Sequence, residues 1–458
     1  MFQSSQKQVG TKPRTLQRRH RMERTTPHHP IQQHLGLTPS NTICPITRKP
    51  LHSQVRLILF SHKARSCPKE VGTMTAGVDI APELFFWAVE RAGWSEEEIE
   101  ERAPYFYEWV EQETKPTFNQ IQKFAGATYT PLGSLFLSEP PKESLPLPDM
   151  RTMGNKKVPR PSANLLDTIY ICQNRQGWYK VYAVDAGFPE LSFVGTARLS
   201  TRPEKIVRQI REILDFDMQA RSAYVTWSEA FRALVRKIED LGVLVMVSGI
   251  VGSNTSRSLD PEEFRGFAIA DPIAPLIFVN GADTKSAQIF TLIHELAHIW
   301  LGHSAVSDAS ITADTSTDEE LWCNRVAAEV LVPMDTLKQE FKGIVSEEEQ
   351  DRLAKKFKVS TLVVLKRLYD ADLLSWEHFQ ERYANEMERL QAFMEEKRSK
   401  SSGGNYYYTQ RGRLGERFSS AVVQSARSGY LPYRDAYELL GIKRHSTFEN
   451  FANMIEGS

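Results

Sequence analysis

The segment His294-Glu295-Leu296-Ala297-His298 contains residue types suited to metal-assisted hydrolysis, at a spacing that fits a helix. Positions i and i+4 lie on one face of a helix, so His294 and His298 can present imidazole nitrogens to one ion. Glu295 points toward the same open side and can take a proton from a water molecule at that ion. The pattern predicts a zinc site. The alternative is two histidines on a polar helix face with no ligand role.

A catalytic zinc ion needs a third protein ligand, with water in the fourth position. The next predicted helix opens with Asp318-Glu319-Glu320 and can pack against the helix that carries the histidines. Helical phase favours Glu320, because it shares a face with small or polar residues that suit a close approach of two helices. Asp318 and Glu319 are expected to face water or to favour the helix N-terminus. Capping and dipole roles are the alternative for all three acids.

Two other residues are weaker ligand candidates. His303 follows Gly302, at which the histidine helix is expected to end. Cys323 suits a buried small residue better than a ligand.

The elements that must position these residues can be read from the surrounding pattern. Three apolar runs, at 243–248, 266–270 and 276–279, predict strands. A long helix is predicted over 285–302, and another over 318–331 that stops at Pro333. The motif thus lies on a helix directly after a strand and a turn.

The composition limits which classes of protein this chain can belong to. A chain of 458 residues with 41% hydrophobic residues is expected to form several globular domains. It has no run of about 18 apolar residues, so we expect no membrane span. Its four cysteines are scattered, which argues against a disulfide framework or a cysteine zinc cage and favours a reducing, cytoplasmic location.

The first 73 residues differ from the rest. They contain 13 basic and two acidic residues, which leaves 57 − 13 = 44 basic and 57 − 2 = 55 acidic residues, a net charge of −11, in the remainder. We expect this segment to be disordered. It can be a basic tail for nucleic acid, a targeting peptide, or no part of the natural product. The third interpretation is favoured, because Lys69-Glu70-Val71 can be encoded by a bacterial ribosome-binding sequence, AAG-GAG-GTN, upstream of a true start at Met74.

The predicted fold class is α+β and predominantly helical, in a multidomain protein with a small β-sheet in a zincin-like metallopeptidase domain. The expected parts follow the disordered segment in order: a helix-turn-helix-like domain at 74–141, a linker and connecting helix at 142–190, the peptidase domain at 191–335, a helical, helix-turn-helix-like segment at 336–400, and a small helical tail at 401–458.

The motif residues, with Leu301-Gly302-His303, Glu320-x-x-Cys323-Asn324 and the run from Ala327 to Pro333, resemble the ImmA/IrrE family of metallopeptidases. The resemblance covers about 191–374, and the tail is similar to that of family members fused to an N-terminal Cro/C1-type helix-turn-helix domain. It implies zinc held by His294, His298 and Glu320, with Glu295 catalytic. It further implies cleavage of a helix-turn-helix repressor, which releases stress-response or mobile-element genes.

Two segments could contact DNA. The first, 82–141, departs from the helix-turn-helix pattern, because little room remains between Arg102 and Trp109 for a turn and a recognition helix. Ten glutamates and two arginines between residues 82 and 113 should also repel phosphates, so dimerisation or substrate docking is the favoured role. The second, 353–368, has five basic residues, and ordinary core packing is its favoured interpretation.

The leading hypothesis is therefore a zinc-dependent endopeptidase acting on a protein substrate. One alternative is a DNA-binding regulator or antitoxin-like protein whose metal site is vestigial or structural. Another is a scaffold that binds its repressor without cutting it. The sequence carries no signal for an oligomeric state.

Overall fold

The computed structural model describes residues 77–150, 161–307, 317–399 and 405–457, and these belong to one compact unit, Thr73–Ser458. The predicted disordered segment, the proposed start at Met74, and Cys44 and Cys67 lie outside the described residues. Cys172 and Cys323 are buried free thiols. Within the described ranges, none of the helices is long and apolar enough to cross a membrane.

A mixed sheet of four strands lies at the centre of the fold. The strands are β1 (Leu244–Ser248), β2 (Gly266–Ile269), β3 (Leu276–Asn280) and β4 (Ala305–Ser307), in the order β1-β3-β2-β4. The β1 and β3 strands are parallel, and β2 is antiparallel to both β3 and β4. Three strands were predicted. The fourth was missed because it has only three residues.

Side chains of β1 and β3 alternate between two apolar cores, one on each face of the sheet. Val245 and Ile277 belong to the first core, whereas Leu244 and Leu276 belong to the second. Strands that are buried on both faces appear in a sequence as continuous apolar runs, which is the pattern from which these two were predicted.

The middle part of the chain supplies most of the first core. Between residues 203 and 399 the described chain forms nine helices: α6 (Pro203–Leu214), α7 (Met218–Ser222), α8 (Trp227–Asp240), α9 (Lys285–Leu301), α10 (Asp318–Leu331), α11 (Met334–Glu340), α12 (Glu347–Phe357), α13 (Thr361–Asp370) and α14 (Trp376–Ser399). Helix α9 packs against both β2 and β3, and α10 packs against α9.

The second core is covered by one earlier helix and by the end of the chain. These helices are α5 (Ala163–Asp185), α15 (Tyr406–Leu414), α16 (Glu416–Arg427), α17 (Tyr433–Leu440) and α18 (His445–Glu456). The Arg417 guanidinium donates a 2.8 Å hydrogen bond to the Tyr179 hydroxyl of α5, and its backbone N–H donates to Glu239 of α8. The last helices thus pack on the sheet and on α5.

The N-terminal helices have an aromatic core of their own. They are α1 (Pro82–Ala92), α2 (Glu96–Arg102), α3 (Phe106–Val110), α4 (Phe118–Ala127) and a 3₁₀ turn at Leu132–Phe136. The rings of Phe85, Trp109 and Phe124 lie 5.6–6.0 Å apart. Ser95 and Thr117 begin α2 and α4 with capping boxes. Helix α3 has only five residues, so the expected shortage of room for a recognition helix is present.

The predicted fold class is confirmed: the protein is α+β and mainly helical, with a small sheet. The predicted domain boundaries stay predictions.

Candidate metal centre

Helix α9 presents the two histidines on one face. The Thr284 hydroxyl caps its N-terminus by accepting the Ala287 N–H, and Gly302 ends it at φ 73°, a conformation that favours glycine. All residues from Gln288 to Leu301 are buried, because the helix lies between the sheet and neighbouring helices. His294 and His298, one turn apart, therefore point into the protein at the same place.

Helix α10 brings a carboxylate to the same place. Its N-cap, Thr317, accepts the Glu320 N–H, which fixes the first turn. Glu320 is 1% exposed and faces the two histidines. The carboxylate predicted from helical phase is thus the one that the packing of α10 against α9 brings to Nε2 of both rings.

The donor groups of these three residues form a compact triangle, in which each ring faces a different carboxylate oxygen of Glu320. His294 Nε2 lies 3.1 Å from His298 Nε2 and 3.1 Å from Glu320 Oε2, and His298 Nε2 lies 3.2 Å from Glu320 Oε1. Zinc in a tetrahedral site, with bonds of about 2.0–2.1 Å, holds its ligand atoms about 3.3 Å apart. Two imidazoles and one carboxylate at this spacing are compatible with a metal ion.

The outer nitrogens of both rings are held by α10. His294 Nδ1 lies 2.9 Å from Asn324 Oδ1, and His298 Nδ1 lies 3.0 Å from Glu319 Oε1. In this arrangement each Nδ1–H donates outward, which leaves Nε2 as a lone-pair donor toward the centre. The chain therefore fixes the tautomer in which the rings can bind a cation.

Glu319 lies in the first turn of α10, which agrees with the expected place near the helix N-terminus, but it does not face water. Its side chain is 11% exposed and bridges His298 Nδ1 and His303 Nδ1, each at 3.0 Å. The reason is that the histidine rings lie between the two helices, so a carboxylate about 100° around α10 from Glu320 still reaches their outer edge. His303 stands at this bridge, half exposed, and outside the triangle.

Glu295 lies in a tight space between α9 and the sheet. One carboxylate oxygen, Oε1, accepts a hydrogen bond from the Ser307 hydroxyl of β4, and no described residue donates a hydrogen bond to Oε2. A Cβ atom on Gly266 of β2 would stand 2.9 Å from Oε1, so only glycine leaves room for the carboxylate there. Glu295 thus has one oxygen held by the fold and one available.

Burial and the two histidines together set the protonation of the acidic and thiol groups around the triangle. Burial raises the pKa of the Glu295 carboxyl to about 7, against the lowering effect of His294 and His298. Burial also opposes ionisation of Glu320, but the adjacent His294 and His298 outweigh it and lower its pKa to about 2. Burial raises the pKa of the Cys323 thiol to about 11, so it stays neutral and acts as a small packing residue.

Helices α12 and α13 form the expected helix, turn and helix, and the turn contains Lys358 at φ 56°. Most of the basic side chains in this segment are engaged within the chain. Four contacts show it: Lys356 with Glu340, Lys366 with Asp370, Arg367 with Glu329, and Lys358 with the ring of Trp227. These four charges are therefore not displayed as a free basic surface.

The comparison that bears on the centre concerns the middle of the chain. Residues 238–369 match the family model of the IrrE N-terminal-like domain, peptidase family M78. The match contains all four predicted site residues and supports the resemblance to the ImmA/IrrE family. We call residues 238–369 the M78 region. Residues 414–454 match a domain of unknown function, DUF8813. A search of the curated proteins found no match.

Sequence reasoning missed two residues that support the centre, Ser307 and Gly266, and did not foresee that Glu319 contacts the histidine rings. The first two lie 12 and 29 positions from Glu295 along the chain, and only the pairing of Gly266 with Ser307 across β2 and β4 brings them together. A glycine at the start of a predicted strand was the available signal, since such a glycine often marks a close approach.

Proposed function

We propose that this chain is a zinc-dependent endopeptidase, with His294, His298 and Glu320 as zinc ligands and Glu295 as the general base. The observation that carries the proposal is the buried triangle of two imidazoles and one carboxylate inside the M78 region. A peptidase family also implies a protein substrate.

The donor set suits zinc. Two neutral imidazoles and a carboxylate are typical protein ligands of a catalytic zinc site, which keeps one further position open. When bound, such an ion supplies Lewis acidity and activates water as a nucleophile near neutral pH. Ca²⁺ and Mg²⁺ prefer sites made of oxygen atoms, so the two histidines argue against them.

The chain's own residues supply the proton transfer. Glu295 Oε2 accepts a proton from the attacking water and later delivers it to the leaving amine. The Ser307 hydroxyl holds the other oxygen, which keeps the carboxylate in one orientation. A pKa near 7 suits both halves of this cycle, because the group can lose and regain the proton at neutral pH.

We further propose that the substrate is a helix-turn-helix transcriptional repressor, and that its cleavage in the cytoplasm derepresses stress-response or mobile-element genes. This identity is supported by the ImmA/IrrE resemblance. The DNA-binding alternative has less support, because four of the five basic residues in the segment 353–368 are engaged within the protein.

The first experiment measures the zinc content of the full chain beside two variants. We expect about one zinc per chain in the wild type, loss of zinc in His298→Ala, and retention in the matched control His303→Ala, whose ring lies outside the triangle. A wild-type protein that takes up no zinc at neutral pH would refute the proposal.

The second experiment tests the chemistry and the substrate together. Glu295→Gln should keep the zinc, still associate with a repressor encoded beside the gene, and fail to cleave it. Undiminished cleavage by Glu295→Gln would remove the general base from the mechanism. Duplex DNA binding that falls steeply with salt, without any cleavage, would instead support the regulator alternative.

A further inference from the structure

The β4 strand is the edge of the sheet nearest the candidate centre, and its outer side is already occupied. In β4, Ala305 and Ser307 flank Val306, which pairs with Phe267 of β2. The Val306 N–H donates to the Pro148 carbonyl at 3.0 Å, and its carbonyl accepts the Met150 N–H at 2.9 Å. Both backbone groups of Val306 thus point away from β2 and are used by a distant part of the same chain.

We propose that residues 145–150, the strap, occupy in cis the edge at which an extended peptide substrate must bind, so that the protein restrains its own activity until the strap is displaced. This inference rests on the proposed peptidase function. It identifies the competitor of the substrate as a segment of the chain itself.

The position of the edge supports this role. Peptides commonly bind by adding a strand to a free sheet edge, through main-chain hydrogen bonds. Ser307, the residue after Val306, donates to Glu295, so the occupied backbone lies one residue, about 3.3 Å, from the strand position that touches the general base. The opposite edge strand, β1, is closely approached by the last helices: a Cβ atom on Gly415 would stand 2.5 Å from the Val245 carbonyl oxygen.

The strap is built to hold weakly. Only Asp149 forms a bridge with β4, in the parallel sense, and Pro148 has no N–H to extend the ladder. Two leucines anchor the strap on the second core, Leu147 buried and Leu145 half-buried, whereas Pro148 and Asp149 are exposed. Two backbone hydrogen bonds join the strap to β4, and a competing peptide can replace them more easily than the ladder of a full fifth strand.

The test compares two substitutions at one position. Met150→Pro removes the N–H that bonds to Val306, whereas Met150→Ala keeps it and removes only the side chain. Loss of one backbone hydrogen bond shifts an equilibrium by a factor of about five. We therefore expect hydrogen exchange of the Val306 amide to be slow in the wild type and in Met150→Ala, and about five-fold faster in Met150→Pro.

Cleavage of a fluorescently labelled unfolded protein should rise by a similar factor in Met150→Pro, but not in Met150→Ala. Leu147→Ala, which weakens the anchor without touching the bonds to β4, should act in the same direction as Met150→Pro. A synthetic peptide with the sequence of residues 143–150, added in trans, should reverse the gain.

Several results would overturn the proposal. One is a Val306 amide that exchanges as fast as an exposed amide in the wild type. Another is unchanged or slower cleavage in Met150→Pro although protection is lost and the fold is intact.

Zinc content, measured on the same samples, separates the two proposals. If the protein takes up zinc and cleaves the labelled protein, but the strap substitutions leave the cleavage rate unchanged, only the proposed self-restraint is refuted. A protein that binds no zinc and cleaves nothing, with Val306 protected, would refute the peptidase and reduce the strap to a structural contact.

Discussion

Gly266→Ala is the substitution that we expect to separate catalysis from metal binding most clearly. The added Cβ would stand 2.6 Å from Thr291 Cγ2, 2.8 Å from the Phe278 carbonyl oxygen and 2.9 Å from Glu295 Oε1. The Phe278 oxygen is backbone of the neighbouring strand, and Thr291 is a stiff β-branched residue in α9. Gly266→Ala must therefore push β2 away from β3, or Glu295 away from its place.

The magnitude follows from these contacts. Overpacking a buried site lowers the free energy of unfolding by about 1–3 kcal/mol. Three contacts below 3.0 Å at the added Cβ place Gly266→Ala near the upper end of this range, about 2–3 kcal/mol. Misplacing a catalytic group by up to about 1 Å lowers a rate by about 10- to 100-fold. Zinc content should stay at the wild-type level, because the three proposed ligands belong to α9 and α10.

The assay is urea unfolding followed by tryptophan fluorescence, with zinc content and cleavage rate measured on the same samples. Gly177→Ala is the matched control. It lies in α5, where an added Cβ meets nothing within 4 Å, and should stabilise the protein by about 0.5–1 kcal/mol because glycine is unfavourable inside a helix. A Gly266→Ala protein that unfolds like the wild type and cleaves at full rate would refute the close packing of Glu295 against β2.

Other predictions concern pH, ligand support and the general base. Burial raises the pKa of Glu239 from 4.5 to about 7. Between these two pH values the folded protein keeps a proton that the unfolded chain has lost. The free energy of unfolding therefore falls by about 3 kcal/mol as the pH rises from 4.5 to 7. In urea unfolding, the free energy of unfolding of Glu239→Gln relative to the wild type should therefore be about 2–3 kcal/mol higher at pH 8 than at pH 5. The same difference between the two proteins at both pH values would contradict this pKa. Asn324→Ala removes the partner of His294 Nδ1 and should lower zinc affinity by about 10- to 100-fold in competition with a chromogenic chelator, whereas unchanged affinity would show that the ring needs no such support. Ser307→Ala should slow cleavage about ten-fold with zinc content preserved, since it releases only Glu295; loss of zinc would place Ser307 in a different role.

The parts of the fold that could be predicted are those whose signals are local. The cap at Thr284 and the left-handed Gly302 define α9, and the phase of α10 selects Glu320 over its neighbours. These features depend on residues within one or two turns of one another. The apolar runs of β1 and β3 are equally local signals, because burial on both faces leaves a continuous hydrophobic pattern.

The parts that could not be predicted depend on long-range pairing. Ser307 reaches Glu295 only because a three-residue strand pairs with β2, and three residues carry too little periodicity to be recognised. The bridge from Asp149 to Val306 joins positions 157 residues apart, and a proline-rich segment reads simply as a linker. Glu319 was misplaced because helical phase gives the direction of a side chain but not the position of the ring it meets.

The sheet with a core on each face has a genetic consequence. Leu244 and Leu276 face helices that are encoded in part by the last 54 codons, from Asn405 onward. A nonsense mutation near codon 400 would leave the M78 region and all four site residues intact, yet one face of its sheet would lose Phe418, Phe448 and their neighbours and meet water. Large exposed apolar faces promote association, so such an allele should yield aggregated protein rather than a shorter folded protein.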